Sequence, residues 1–119
     1  MTDDPITAYG EAWLAVDEGE RRALLEVAWA PDAVYCDPLD RLEGRDALVR
    51  HIGATQAALA GGRIAVTSTP VRHHDSAFFR WTMSDAGGAT VLTGFDVVQL
   101  DADGRIARLH GFFDTDTAA

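Results

Sequence analysis

The spacing of hydrophobic side chains changes at Gly61-Gly62, and this change restricts what the chain can fold into. Before the glycine pair, apolar residues recur at three- and four-residue intervals, which is typical of helices with one buried side. After it, apolar and polar residues alternate, which is typical of strands with one buried face. Helices that come first and strands that follow together predict the α+β class, with three N-terminal helices packed on a curved antiparallel β-sheet to form a cone.

Three helices are predicted before the glycine pair. The first begins at Asp4-Pro5, where an aspartate N-cap precedes a proline at the first helical position. The second is expected over about 20–29 and the third over about 45–60. A short strand over 33–37 and a loop over 38–44 should lie between these two helices.

The second half of the chain predicts strands joined by turns, over residues 63–73, 76–84, 89–100 and 105–114. Pro70 interrupts the first of them, which indicates a bulge or a sheet edge. Asp85–Gly88 and Asp103-Gly104 supply turns between later strands. One domain over 1–119 is expected, with a frayed tail at 115–119.

Composition narrows the range of partners. The 119-residue chain has a formal net charge of −9, and 47% of its residues are hydrophobic. An acidic chain is a poor ligand for phosphate backbones and for anionic lipid surfaces, so neither nucleic acid nor a membrane is expected. There is no run of about 20 apolar residues and no signal-peptide pattern at the start, so we expect a cytoplasmic protein. Cys36 is the only cysteine, which excludes an internal disulfide.

Two lone carboxylates stand in apolar, strand-like segments. Asp37 ends the run 33–37, and Asp96 lies within 91–100, where it alternates onto one face with Val98. A carboxylate among apolar side chains is costly unless it is hydrogen-bonded, paired or protonated. A chain that keeps two such groups is a candidate for proton chemistry.

Strand alternation predicts which other side chains face the inside of the cone. Phe79, Trp81 and Met83 share the more apolar face of their strand, and Tyr35 shares a face with Asp37. On the last strand, alternation alone does not decide whether Leu109 and Phe113 or their neighbours point inward. Such a stripe more often packs as plain core than binds a ligand, so these residues are pocket candidates only in the company of the two carboxylates.

The segment His73-His74-Asp75 raises the question of a metal site. Neighbouring strand residues point to opposite faces, so the two histidines should not ligate one ion without a bulge, and no metal is expected. One of the two histidines should point into the pocket. We prefer His73, which could then pair with Asp37 or Asp96.

The chain resembles the nuclear-transport-factor-2-like (NTF2-like) superfamily, and within it the SnoaL-like and ketosteroid-isomerase-like branches. The resemblance covers about residues 5–114 and rests on the order of elements and on four segments: Trp29–Pro38, Gly44–Ala47, Gly94–Val98 and Asp103–Ile106. It implies the cone-shaped α+β fold. It does not fix a function, because this fold serves isomerases, cyclases, dehydratases, hydrolases and non-enzymatic binders.

The ketosteroid-isomerase branch implies roles for the two carboxylates. An Asp-Pro pair on the first strand carries the general base there, and Asp37 matches it. A protonated aspartate on the penultimate strand donates to the oxyanion, and Asp96 matches it. The third group in that branch is a tyrosine on the first helix. Trp13 stands at its position here, with Tyr9 one turn away as a possible substitute donor.

The same resemblance implies a pocket for an apolar, cyclic small molecule without metal or organic cofactor. Its alignment turns Leu109 and Phe113 inward. The expected substrate-binding set is Tyr35, Ile52, His73, Phe79, Trp81, Met83, Val98, Leu109 and Phe113. Superfamily members commonly form homodimers through the convex sheet face, which is the partner expected here.

Three hypotheses therefore remain from the sequence. The first is a SnoaL-like, cofactor-independent isomerase, cyclase or hydrolase with a carboxylate acid/base pair. The second is a non-catalytic binder of small ligands or a small stand-alone dimer. The third is an orphan scaffold whose collapsed pocket is filled by Trp13, Trp29 and Trp81. The third hypothesis has weight because three indoles consume much of the space that a small cone can enclose.

Overall fold

Residues 2–114 form three helices and seven strands. The computed structural model describes residues 2–114, so the predicted frayed tail, 115–119, lies outside the described residues. The helices are α1 (Pro5–Leu14), α2 (Glu18–Ala28) and α3 (Arg45–Leu59). The strands are β1 (Trp29–Cys36), β2 (Arg41–Glu43), β3 (Arg63–Val66), β4 (Val71–His73), β5 (Ser76–Ser84), β6 (Thr90–Leu100) and β7 (Ile106–Phe113).

Side-chain caps fix where the first two helices begin. The Asp4 carboxylate accepts a hydrogen bond from the Thr7 amide at 2.9 Å, as the Asp-Pro signal predicts. Asp17 does the same for the Glu20 amide at 2.8 Å, so α2 begins two residues earlier than predicted. No helix within residues 2–114 is long and apolar enough to cross a membrane.

The strands form one sheet in the order β2-β1-β7-β6-β5-β3, with β4 also paired to β5. Every pairing is antiparallel except that of β1 with β7, which is parallel, so the sheet is mixed rather than purely antiparallel. The chain can enter this parallel pairing because α3 and five strands separate β1 from β7 and allow a long return. The predicted α+β cone of three helices on a curved sheet is confirmed.

Two local predictions need correction. The single strand expected over 63–73 is two strands, β3 and β4, which both pair with β5 on either side of an irregular stretch that contains Pro70. Proline has no amide hydrogen to donate to a neighbouring strand, so strand pairing is interrupted at Pro70. The loop expected over 38–44 contains β2, which pairs with β1 after a tight turn closed by the Asp37 amide and the Asp40 carbonyl at 2.9 Å.

The core lies between the helices and the inner face of the sheet, and one buried charge ties the helices together. Arg21 is only 4% exposed and donates to the carbonyls of Ala15, Val16 and Val49 and to the side chain of Gln56. These acceptors satisfy the guanidinium without a carboxylate. Arg21 thereby joins the end of α1 to α3 and fixes the helix that carries Tyr9 and Trp13.

The outer face of the sheet carries an exposed aromatic stack. The rings of Phe78 and Phe95 lie 5.3 Å apart and those of Phe95 and Phe112 5.0 Å apart. Arg80 places its guanidinium over the first two rings and pairs with Asp114 at 3.4 Å. We call Phe78, Phe95 and Phe112 the outer stack.

Candidate active site

A cavity of about 140 Å³ opens inside the cone, between α1, α3 and the inner face of the sheet. Both predicted carboxylates line it. The structure brings to this cavity Tyr9, Trp13, Tyr35, Asp37, Trp81, Met83, Asp96 and Phe113. Trp13 and Trp81 line the cavity and leave it open, and Trp29 is buried in the core, so the three indoles do not fill the pocket.

Four other predicted contacts lie deeper and do not line the cavity. They are fully buried core residues: Ile52, Phe79, Val98 and Leu109. Alternation assigned Phe79 and Val98 to the correct face of the sheet, and the family resemblance did so for Leu109. Ile52 lies on the inner side of α3. The helices cover only part of the inner face of the sheet, and alternation does not show where that cover ends. Core and pocket positions on the same face therefore look alike in sequence.

His73 is not brought to the cavity. It lies exposed on β4 beside His74, and the Nδ1 atoms of the two rings are 3.3 Å apart. Alternation does not hold here because His74 has a φ of 52°, which turns its side chain toward that of His73. Neither Asp37 nor Asp96 has a histidine partner from this segment.

Asp37 sits at the mouth of the cavity, directly after β1, and is held by three donors. Its Oδ1 accepts hydrogen bonds from the amides of Leu39 and Asp40, each at 2.8 Å. Its Oδ2 accepts one from the Tyr35 hydroxyl at 2.6 Å. The turn that follows β1 thus fixes the orientation of a half-buried carboxylate. Oδ2 accepts only one hydrogen bond, so it can accept a second one.

Asp96 lies on the floor of the cavity and is 6% exposed. Burial raises the pKa of this carboxyl to about 7, and the negative charge of Asp37 adds to the increase, while the Trp81 indole acts in the opposite direction. Gly111, opposite Asp96 in β7, has no side chain between the two acids. A Cβ there would lie 3.0 Å from Asp96 Oδ1 and 3.4 Å from the Asp37 Cβ.

Tyr9 supplies a phenol to the same floor. It is 2% exposed and stacks on Trp29 with ring centroids 5.9 Å apart. Burial and then the charge of Asp96 raise the pKa of Tyr9 well above its ordinary value, while a hydrogen bond from Trp13 acts in the opposite direction. Tyr9 therefore remains a protonated donor at neutral pH, beside a carboxyl that is itself partly protonated.

Trp81 narrows the floor from the side of β5. It pairs across the sheet with Gly94, and a Cβ at Gly94 would lie 2.2 Å from the indole Cζ2 and 2.2 Å from the Phe112 carbonyl oxygen. No side chain fits at position 94 while the indole is there. An edge contact with Phe113, at 5.8 Å between centroids, holds the other side of the indole.

His51 is a cavity residue that the sequence analysis missed. Its ring lies 5.9 Å from that of Trp13 and 5.2 Å from that of Tyr35. A signal was present, because His51 precedes Thr55 by four residues on the apolar side of α3. Histidine was simply not counted as part of an apolar stripe.

Potential metal-ligand atoms of Asp37, Asp40 and His51 lie within 4.8 Å of one another at the cavity mouth. This cluster is where a divalent cation would fit best among the described residues. However, both oxygens of Asp37 already accept hydrogen bonds, so an ion would compete with Tyr35 and two amides. The absence of a metal stays a prediction.

The fold and this paired-carboxyl cavity define a SnoaL-like domain of the NTF2-like superfamily. The family model described as a SnoaL-like domain matches residues 7–109, and the chain belongs to that family. The resemblance inferred from the sequence is thereby confirmed.

Three relatives give the family a functional context. The chain is 32% identical over 100 residues to a steroid Δ-isomerase of Nocardioides simplex, covering 80% of this chain and 78% of that protein. A candidate isomerase of the SnoaL-like family from Agrobacterium tumefaciens is 34% identical with a TM-score of 0.87, over 97% of this chain and all of that one. A candidate polyketide cyclase from Sinorhizobium meliloti is 26% identical with a TM-score of 0.70, over 93% and 99%.

Proposed function

We propose that this protein is a cofactor-independent isomerase that moves a proton within a small, apolar, cyclic carbonyl compound. The observation that carries the proposal is that two carboxyls face one cavity in different environments. Three donors hold Asp37 at the mouth, whereas burial raises the pKa of Asp96 on the floor to about 7. Two acids whose environments differ in this way are suited to act as a base and as a neutral donor.

Asp37 is the proposed base, and its hydrogen bonds indicate which oxygen reacts. Two amides occupy Oδ1, while Oδ2 accepts only the Tyr35 hydroxyl. A carboxylate oxygen has two lone pairs, so Oδ2 is the atom that can take a proton from carbon. Held in this way, Asp37 removes a proton next to the carbonyl and returns it to another carbon of the same molecule.

Asp96 and Tyr9 are the proposed donors to the developing oxyanion. Both are buried at the cavity floor, and the raised pKa of each favours its protonated form. Donors that are already in place in a water-poor site stabilise a developing charge strongly. Trp13 lines the same cavity, and its indole opposes the rise in the pKa of Tyr9, so Trp13 remains a proposed second donor beside the phenol.

The proposal is tested with 3-cyclohexenone, a β,γ-unsaturated ketone whose conversion to the conjugated isomer is followed by ultraviolet absorbance. We expect turnover by the wild-type protein and a loss of roughly 10²–10⁴-fold in kcat/KM for Asp37→Asn. Asp32→Asn, which makes the same chemical change at an exposed position earlier on β1, should retain the wild-type rate.

Equal rates for wild type and Asp37→Asn would reject Asp37 as the base. Binding of cyclic ketones by the wild-type protein without any turnover of several such ketones would favour the non-catalytic binder instead.

We also propose that the outer stack is covered by a second copy of this chain. Phe112 is 46% exposed although it stacks on Phe95, and the neighbouring Val97 is 36% exposed. Sedimentation of the wild-type protein should show a dimer, and Phe112→Ser should shift it toward monomer. A wild-type monomer at about 100 μM, well above the dissociation constant of a stable homodimer, would contradict this.

A further inference from the structure

The enclosed space is small for a ligand site. The cavity measures about 140 Å³, whereas sites for drug-sized molecules span roughly 300–1,000 Å³. An engineered protein cavity of about 150 Å³ holds one benzene molecule. The buried part of this site therefore matches a single six-membered ring.

Trp81 is the bulky side chain that bounds the cavity on the side of β5. Its indole is 7% exposed and lies across the backbone of Gly94, its cross-strand partner, in the space that a side chain at 94 would otherwise take. Phe113 holds it from the other side. Since the indole cannot move away without breaking these contacts, the floor ends at Trp81.

The carboxyls fix how a ring would lie in this space. Asp96 and Tyr9 are buried at the floor, so a carbonyl oxygen pointing inward meets both donors. Asp37, at the mouth, then faces the carbons of the ring.

We propose that Trp81, packed on Gly94, restricts the buried part of the substrate to one ring, and that the protein therefore favours monocyclic β,γ-unsaturated ketones of the cyclohexenone type over larger ring systems. This inference rests on the proposed isomerase function. In the reaction, Asp37 removes a proton from the carbon between the carbonyl and the double bond. It returns the proton to the γ carbon as the double bond moves into conjugation, and no co-reactant is consumed.

Calorimetric binding tests the size limit without requiring turnover. The probes are phenol, 2-naphthol and a four-ring phenolic steroid, whose hydroxyl groups imitate the enol oxygen. The wild-type protein should bind phenol more tightly than 2-naphthol and than the four-ring probe. Trp81→Val should shift the ratio of the affinities for phenol and for the four-ring probe at least tenfold toward the four-ring probe. Phe78→Val, on the same strand but on the outer face, should leave the ratio unchanged.

Wild-type preference for the four-ring probe, an unchanged ratio in Trp81→Val, or no binding of any probe would overturn the proposal. If Trp81→Val does not fold by circular dichroism, Trp81→Phe carries the same test with a smaller expected shift. The size preference without turnover of 3-cyclohexenone would reject the isomerase function but not the size limit. Turnover that favours a four-ring β,γ-unsaturated ketosteroid would reject the size limit but not the isomerase function.

Discussion

The mouth and the floor of the cavity hold the same chemical group in two opposite environments. At the mouth, Asp37 accepts hydrogen bonds from two amides and a phenol, all supplied by the six-residue segment 35–40. On the floor, Asp96 is surrounded by strands β5 and β7 and has a pKa raised to about 7 by burial. A local turn is therefore enough to supply the hydrogen bonds that Asp37 needs, whereas Asp96 is buried only when the sheet has assembled.

The largest expected effect is on the dependence of activity on pH. If Asp96 must be protonated to donate, kcat/KM should fall about tenfold per pH unit above pH about 7, where this carboxyl ionises. Asp96→Asn stays neutral at every pH, so its profile should lose this alkaline limb. If kcat/KM of the wild-type protein does not change from pH 6 to 9, the proposed difference in protonation between Asp37 at the mouth and Asp96 on the floor is wrong.

The next effect is on stability. The folded-state pKa of Asp96 lies above the ordinary value of 3.8, so the folded protein keeps a proton that the unfolded chain releases, and stability falls as pH rises between about 4 and 7. Asp96→Asn lacks this loss. Urea unfolding at pH 5 and at pH 8 gives the free energy of unfolding of both proteins. The difference, Asp96→Asn minus wild type, should be roughly 2–3 kcal/mol larger at pH 8 than at pH 5.

The unfolding measurement has a matched control in Asp32→Asn, an exposed position where the same comparison should give no gain. If the free energies of unfolding of the wild type and Asp96→Asn differ by the same amount at pH 5 and pH 8, the cavity floor does not hold Asp96 in its neutral form.

The smallest effect is expected at the mouth. Tyr35→Phe removes one of three donors to Asp37 and should lower the free energy of unfolding by roughly 1–2 kcal/mol. Activity should change less than tenfold, because the amides of Leu39 and Asp40 still orient the carboxylate. A loss as large as that of Asp37→Asn would instead make Tyr35 part of the proton transfer.

The sequence predicted the fold better than the boundary of the site. Helix caps and strand alternation identified all three helices and the inward face that carries Trp81, Met83 and Asp96. The same signals placed Phe79 and Val98 in the pocket, where the structure has them in the core. Alternation has a period of two and no information on depth, so it cannot separate a residue under the helices from one near the mouth.

Two further errors have a common cause in backbone conformation. His74 has a positive φ, and the stretch that contains Pro70 divides the predicted strand into β3 and β4, so rules for regular strands fail between residues 66 and 76. His51 was missed for a different reason, because its position on the apolar side of α3 does not show that a cavity lies against it.

The sequence alone determined that this chain has two lone carboxylates in apolar strands, a helical first half and a sheet-forming second half. These properties follow from the spacing of apolar and polar residues along the sequence, which can be read without a structure. Only the tertiary structure decided that Asp37 and Asp96 meet across Gly111, and that Trp81 rests on Gly94 and limits the cavity to about 140 Å³. Those facts depend on the parallel pairing of β1 with β7 and on the register of β5 with β6, which join residues distant in sequence.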